Sequence, residues 1–174
     1  MSDLAARFRG LWDEIAPVGR DAGSGGYLRY ALTEPELRLR EWFREQADAR
    51  GLPVTEDGNG NLFATWGDPE AGDAVLTGSH FDSVPHGGAY DGPLGIVSAL
   101  LAVDELRAAG KKPVRPITVA AFVEEEGARF GVPCLGSRLL TGEMALDRAA
   151  GLRDAAGVSF AEALGGRPAG ARPE

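Results

Sequence analysis

The sequence of 174 residues carries 18 basic and 26 acidic side chains, a formal net charge of −8, and 44% of its residues are hydrophobic. These values are typical of a globular domain, and the acidic balance, without a dense cluster of lysine and arginine, argues against a nucleic-acid partner. Charged and apolar residues alternate near the start and no apolar run could cross a bilayer, so we expect neither a signal peptide nor a membrane partner. A single cysteine excludes an internal disulfide and is consistent with a cytoplasmic location.

The first regular pattern lies in residues 33–51. Thr33 and Glu36 have the spacing of a capping box, apolar residues recur on one helical face, and a glycine ends the segment. This pattern predicts an amphipathic helix. The next two runs, 53–57 and 61–66, are rich in β-prone residues and are joined by a Gly-Asn-Gly turn, which predicts a hairpin or two adjacent strands.

A strand, a helix and a second strand follow in the middle of the chain. Residues 74–79 have the pattern of a strand, and residues 93–110 that of a buried helix with a proline near its start and a glycine at its end. Residues 117–123 form a continuous apolar run of strand length, which is typical of an interior strand. This order predicts a β-α-β crossover, and hence an α/β fold with an open mixed sheet and helices on both faces.

The pattern weakens after Leu140. Residues 144–166 contain helical fragments, and residues 165–174 are rich in glycine, proline and arginine without apolar periodicity. We therefore expect residues 1–164 to belong to one domain, followed by a flexible tail over residues 165–174.

Polar side chains follow both strands of the predicted crossover. His80 and Asp82 come directly after the first strand, and Glu124, Glu125 and Glu126 come directly after the second. Because open α/β sheets build their sites at the carboxyl ends of strands, we expect an imidazole and several carboxylates to converge at one edge. Massed carboxylates raise one another's pKa unless a cation neutralises them, so this convergence favours a divalent metal.

The residue types also limit the metal. Histidine together with aspartate and glutamate suits Zn²⁺ or Mn²⁺, and Co²⁺ is accepted by the same ligands. Asp82, two residues beyond His80, is placed to hydrogen-bond the imidazole N–H that faces away from a metal. Asp91 lies in a glycine-rich loop that can bend closely around an ion. Of two adjacent glutamates at a strand end, one can bind metal while the other acts as general base.

Some of these residues also have an ordinary interpretation. A histidine in a loop is usually exposed or hydrogen-bonded, and for His86, between Pro85 and Gly87, this interpretation is favoured. A run of three glutamates is most often a solvated acidic loop, although here the run follows a buried strand. Cys134 is expected to be buried and unreactive rather than a catalytic thiol.

Two stretches carry a resemblance to a known family. They are GSHFDSVPHGGAYDGPLGIVSAL, which starts at Gly78, and EEEGARFGVPCLGSRLLTG, which starts at Glu124. The motifs GSHxDS, GGxxDGxxG and EEGxRF resemble, in order and approximate spacing, the signature of the dinuclear-metal amidohydrolases of the hydantoinase/carbamoylase group. The resemblance covers about residues 51–164, and it implies a zinc-peptidase-like catalytic domain with two divalent metal ions, Zn²⁺, Mn²⁺ or Co²⁺.

The resemblance assigns a role to each candidate residue. It makes His80 a ligand of one metal, Asp91 the carboxylate that bridges both metals, and Glu126 a ligand of the second metal. Glu125 becomes the general base, and Asp82 orients the imidazole. The register of EEGxRF leaves the first glutamate of the triplet outside the metal-binding set.

The implied reaction is hydrolysis of a ureido or carbamoyl C–N bond in a small substrate, either allantoate or an N-carbamoyl-L-amino acid. Members of the group are more than twice as long, are homodimers with an inserted dimerisation domain, and draw two further histidine ligands from the later chain. No histidine follows His86 in this sequence. The sequence therefore resembles the N-terminal part of an incomplete catalytic domain that lacks the dimerisation domain, and we expect it to be inactive alone.

Two other interpretations stay open. A related dinuclear metallopeptidase would share the histidine, the aspartates and the paired glutamates but would cleave peptides, and EEGxRF favours the amidohydrolases over it. A non-catalytic domain that keeps the fold and binds a ligand is the alternative from another class. Metal titration and a panel of peptide and ureido substrates separate these interpretations.

Overall fold

The computed structural model describes residues 3–165 as a four-stranded sheet with helices packed against it. The elements in chain order are α1 (Asp3–Ile15), α2 (Glu34–Ala49), β1 (Val54–Glu56), β2 (Leu62–Trp66), β3 (Val75–His80), α3 (Pro93–Ala108), β4 (Ile117–Phe122), α4 (Leu135–Leu140), α5 (Leu146–Ala150) and α6 (Phe160–Ala163). None of the helices within the described residues combines the length and the apolar composition that crossing a bilayer requires. The flexible tail expected over residues 165–174 lies, from residue 166 onward, outside the described residues.

The sheet has the strand order β1-β2-β4-β3 and combines both strand directions. β1 pairs with β2 and β2 with β4 in antiparallel fashion, whereas β3 and β4 are parallel. Helix α3 joins the parallel pair, which confirms the predicted β-α-β crossover and the α/β class with an open mixed sheet. His80, the last residue of β3, lies opposite Phe122, the last residue of β4. Both strands therefore end at the same edge of the sheet.

The main core lies between the sheet and the first three helices. Buried side chains from α2 and α3 meet those of β2 and β4 there: Leu39, Phe43, Ile96, Leu100, Leu62, Ala64, Val119 and Ala121. Burying one leucine or phenylalanine side chain in this way stabilises a fold by about 1.5–3 kcal/mol. A second core surrounds Val123, directly after β4, and contains Phe130, Leu135 and Phe160. The chain that follows β4 is thus anchored in a core of its own.

Helix α1 is not predicted by the sequence pattern, and its stability comes from tertiary contacts. Phe8 and Trp12 stack on each other and pack against the main core. Arg7 forms an ion pair with Asp104 of α3 at 3.0 Å. Because a short helix is marginal by itself, packing of one face onto a neighbouring helix decides whether it forms.

Helix α2 is confirmed, but the capping box predicted at its start is wrong. The Thr33 hydroxyl donates to the carbonyl oxygen of Tyr30 at 2.6 Å. The Glu36 carboxylate accepts instead from the backbone N–H of Leu32 at 2.9 Å, and it lies 3.5 Å from the guanidinium of Arg40. Glu36 is buried, so the ion pair within the helix and the amide of the preceding turn determine where its side chain lies.

Two glycines allow β3 to lie very close to its neighbours. A Cβ on Gly78 would lie 2.0 Å from the carbonyl oxygen of Ala120 in β4. A Cβ on Gly95 of α3 would lie 2.6 Å from the Cβ of Ser79. The position of β3 between β4 and α3 therefore requires the absence of a side chain at both positions.

Replacing Gly78 by alanine should lower the free energy of unfolding by about 3 kcal/mol, because the added methyl group displaces the β4 backbone at Ala120. Urea denaturation followed by circular dichroism measures this change. Gly10→Ala is the matched control, since Gly10 lies in α1 and a Cβ there meets nothing within 4 Å. We expect the control to gain about 0.5–1 kcal/mol from the higher helix propensity of alanine. Equal unfolding midpoints for the wild type and Gly78→Ala would contradict the close approach of the strands.

Candidate metal centre

His80 ends β3 with its side chain buried, and the whole residue is 5% exposed. Its Nδ1 atom lies 2.9 Å from the backbone carbonyl oxygen of Asp82. Because a carbonyl oxygen only accepts hydrogen bonds, Nδ1 carries a proton, and Nε2 is the nitrogen left to bind a metal when the imidazole is neutral. The main chain of the following loop therefore fixes the tautomer that a metal ligand needs.

Three carboxylates lie near the Nε2 atom of His80. Glu125 Oε2 is 3.3 Å and Asp91 Oδ1 is 4.0 Å from Nε2. One ligand atom each from His80, Asp91 and Glu126 lie within 4.8 Å of one another. Asp91 is exposed, while Glu125 and Glu126 are half-buried. The crossover thus brings His80 close to Glu125 and Glu126, as the positions of these residues after the two strands predict, and the glycine-rich loop adds Asp91.

This set of donors fits a divalent cation. One imidazole nitrogen and two carboxylates form the mixed nitrogen and oxygen set that Zn²⁺ and Mn²⁺ accept. Glu126 Oε1 is buried, and no donor within residues 3–165 forms a hydrogen bond with it. A buried carboxylate oxygen without a partner is unfavourable, and a cation held between the three groups would satisfy it.

The carboxylates also change the pKa values at this edge. Burial alone would lower the pKa of His80, but its hydrogen bonds with Asp82 and the charges of Asp82 and Glu125 raise this pKa to about 9. Burial and the charge of Asp91 raise the pKa of Glu126 above its usual range. The charge contributions to both pKa values are those of a site with excess negative charge, and a bound cation would oppose them.

The Asp82 carboxylate, which is buried, holds the two neighbouring glutamates by their backbone. Asp82 Oδ1 accepts from the N–H of Glu125 at 3.2 Å, and Oδ2 accepts from the N–H of Glu126 at 3.0 Å. The same Oδ1 lies 3.5 Å from Nδ1 of His80, farther than the carbonyl oxygen of Asp82. Asp82 therefore contacts the imidazole mainly through its main chain and supports the glutamate pair with its carboxylate.

Glu124 is not part of the group formed by His80, Asp91 and Glu126, and it is completely buried. Its φ of +52° is left-handed, a conformation that costs a residue other than glycine about 1–3 kcal/mol. Its Oε1 atom accepts from the backbone N–H groups of Arg129 and Phe130. Burial, with a further contribution from the charge of Asp82, raises the pKa of Glu124 to about 7.

Gly92 lets the Asp91 loop lie directly against the imidazole. Its φ is +86°, and a Cβ there would lie 2.8 Å from Nδ1 and Cε1 of His80. Only glycine accommodates both the positive φ and this contact. The glycine that follows the aspartate in GGxxDGxxG therefore has a steric reason in this fold.

His86 lies apart from the site, and its ordinary interpretation is confirmed. The side chain is 55% exposed, with Nδ1 2.8 Å from Ser24 Oγ and 3.5 Å from Asp21 Oδ2. The two histidines of the chain therefore do not form a pair, although they are six residues apart in sequence.

Cys134 differs from the expectation of simple burial. The residue is only half-buried, and its Sγ lies 3.5 Å from Oε1 of Glu125. Burial and the neighbouring Glu125 raise the pKa of the thiol, so it stays protonated and a weak nucleophile, as expected. Its contact with the predicted general base has no signal in the sequence, because Cys134 is nine residues farther along the chain.

The sequence of the chain is similar to those of known proteins. A family model described as peptidase family M28 matches residues 61–153, more than half of the chain. The ureidoglycolate hydrolase of Arabidopsis thaliana is 38% identical over 167 residues, which cover 93% of this chain and 35% of that protein. The N-carbamoyl-L-amino acid amidohydrolase of Geobacillus stearothermophilus is 39% identical over 169 residues, which cover 94% of this chain and 40% of that enzyme.

The solved structures give the same relationship. A hydantoinase/carbamoylase family amidase from Burkholderia ambifaria superposes with a TM-score of 0.87 and 37% identity, over 98% of this chain and 42% of that protein. The chain thus spans less than half of the length of these relatives. It belongs to peptidase family M28, and it is similar in sequence and in fold to the hydantoinase/carbamoylase amidases.

Proposed function

We propose that this chain supplies part of the metal centre of an amidohydrolase that cleaves a ureido or carbamoyl C–N bond. The observation that carries the proposal is the group of His80, Asp91 and Glu126, with the Glu125 carboxylate 3.3 Å from His80 Nε2. The names of the relatives, which are ureidoglycolate hydrolase, N-carbamoyl-L-amino acid amidohydrolase and allantoate amidohydrolase, support the substrate class, which is a small ureido compound such as allantoate or an N-carbamoyl-L-amino acid.

Two divalent ions, Zn²⁺, Mn²⁺ or Co²⁺, would be held here. His80 and Asp91 would hold one ion, and Asp91 and Glu126 would hold the other; these three residues form the donor group of the structure. When bound, such ions polarise a carbonyl oxygen and make water more acidic. In this arrangement the ions also offset the repulsion between the Asp91 and Glu126 carboxylates.

Glu125 is the proposed general base. Its Oε2 atom lies 3.3 Å from Nε2 of His80, and the side chain is partly exposed, so a water molecule can reach the carboxylate. The carboxylate accepts a proton from water as the water oxygen attacks the ureido carbonyl carbon, and the proton then passes to the departing nitrogen. Breaking the bond between the carbonyl carbon and the terminal nitrogen releases ammonia and leaves a carbamic acid. The carbamic acid then loses carbon dioxide to give the free amine.

The number of ligands limits what the chain does alone. In the proposed arrangement each ion has two protein ligands from this chain, whereas the resemblance assigns three to each. A metal centre with incomplete coordination binds its ions less tightly and places them less accurately. We therefore expect the isolated chain to bind metal without turning over ureido compounds.

Peptide hydrolysis is the second candidate. The observation that favours it is the match to a peptidase family model over residues 61–153. Peptidases and amidohydrolases of this type share the carboxylate and histidine set, so the substrate panel below separates them.

Metal binding tests the donor group directly. His80→Ala should weaken Mn²⁺ binding to the chain by about tenfold or more, because it removes the only nitrogen donor of the group. Isothermal titration calorimetry with Mn²⁺ alone measures the change. His86→Ala is the matched control, since its exposed imidazole lies apart from the site, and we expect unchanged affinity.

Equal losses in the two histidine variants would contradict the assignment of His80. Failure of the folded wild-type chain to bind Mn²⁺ at millimolar concentration would contradict the metal centre itself.

A chimera tests the reaction. The aligned residues of the Geobacillus stearothermophilus amidohydrolase are replaced by this chain. Ammonia release is measured with N-carbamoyl-L-amino acids and allantoate, and release of free amino acids is measured with dipeptides. We expect ammonia from a ureido compound and no cleavage of dipeptides. Glu125→Gln in the chimera should lower kcat by about 100-fold to 10,000-fold, because glutamine cannot accept the proton.

The isolated chain and Cys134→Ser serve as controls for the chimera. The isolated chain should release no ammonia, and Cys134→Ser should retain activity, because the proposed reaction does not use the thiol. Dipeptide cleavage would replace the proposed function by the peptidase alternative. A folded chimera that binds Mn²⁺ but cleaves neither substrate class would reject both.

A further inference from the structure

Glu124 is a buried acidic residue that the proposed reaction does not use. It is the second residue after β4, is 0% exposed, and immediately precedes the two glutamates of the site. A carboxylate is rarely buried so completely without a specific partner. Its contacts therefore indicate what it does.

The partners of Glu124 are backbone amides at the far end of the glutamate loop, residues 125–130. Its Oε1 accepts from the N–H of Arg129 at 3.0 Å and also from the N–H of Phe130. At the near end of the same loop, Asp82 accepts from the N–H groups of Glu125 and Glu126. Two buried carboxylates thus hold the two ends of the loop that carries the site glutamates.

The left-handed backbone of Glu124 separates its side chain from those of its neighbours. With φ at +52°, the chain turns at this residue, and the Glu124 side chain is buried. Glu125 and Glu126 lie on the side of His80. The carbonyl oxygens of Glu124 and Glu125 also accept from the amides of Leu135 and Cys134, which fixes the turn from the other direction.

We infer that Glu124 is a positioning residue, which sets the geometry of Glu125 and Glu126 by closing the loop through the amides of Arg129 and Phe130. The inference rests on the proposed function only in giving Glu126 a metal-binding role. The position of the loop depends on Oε1, which accepts both hydrogen bonds. The other oxygen, Oε2, is buried and has no hydrogen-bond partner within residues 3–165. A glutamine at this position keeps the acceptor and the shape, so it should replace glutamate.

The test compares Glu124→Ala and Glu124→Gln in the 174-residue chain without metal. Amide hydrogen exchange by NMR is read at Glu125 and Glu126, whose N–H groups are bonded to Asp82 rather than to Glu124. We expect exchange about tenfold faster in Glu124→Ala and close to the wild-type rate in Glu124→Gln. Leu39→Ala, at a fully buried position in α2, is the control for general destabilisation. In this variant we expect the exchange rates at Glu125 and Glu126 to change by the same factor as those of other core amides.

Mn²⁺ affinity is the second measurement, made by calorimetry on the same variants. We expect about a tenfold loss in Glu124→Ala and wild-type affinity in Glu124→Gln and Leu39→Ala. Unchanged exchange at Glu125 and Glu126 in Glu124→Ala would overturn the inference, as would a Glu124→Gln variant that behaves like alanine. Faster exchange with unchanged Mn²⁺ affinity would also overturn it. If the wild type binds no Mn²⁺ but amide exchange responds as expected, the result supports the role of Glu124 in closing the loop and contradicts the proposed metal centre.

Discussion

The parallel pairing of β3 with β4 is the constraint on which the candidate site depends. The register that sets His80 opposite Phe122 ends both strands at one edge, so the loops that follow them must meet there. The pairing is possible because α3 returns the chain across the sheet, and because Gly78 leaves room for the backbone of β4. Groups separated by more than forty residues in the chain, such as the Asp82 carboxylate and the backbone N–H of Glu125, come within hydrogen-bond distance as a result.

The acidic residues at this edge fall into two groups with different partners. Asp91, Glu125 and Glu126 face the imidazole and leave oxygen atoms available to a ligand. The inner group, Asp82 and Glu124, is buried; both carboxylate oxygens of Asp82 and the Oε1 atom of Glu124 accept from backbone N–H groups. Amide dipoles are a fixed and neutral source of partial positive charge, so these three oxygens are satisfied without bringing a competing cation into the site. The outer group keeps the excess negative charge that favours a metal ion.

Features that depend on local periodicity and on strand ends are predictable from this sequence. The hairpin, the crossover and the convergence of His80 with Glu125 and Glu126 follow from apolar runs and from the polar residues after them. Features that depend on tertiary partners are not. Helix α1 forms because it packs on α3, and Glu36 leaves its predicted cap because Arg40 lies beside it. The burial of Glu124 follows from a left-handed turn, which composition does not indicate.

Asp82 links the two strand ends that form the site. Its carbonyl oxygen contacts the imidazole of His80, and its carboxylate holds the amides of Glu125 and Glu126, so one residue supports both sides of the donor group. If the sheet edge shifts as the surrounding domain flexes, the histidine and the glutamate pair are carried together by their common support. We therefore expect the distances between the histidine and the glutamate pair to change little in such motion, while Asp91, at the other end of the connection between β3 and α3, is the most exposed side chain of the group.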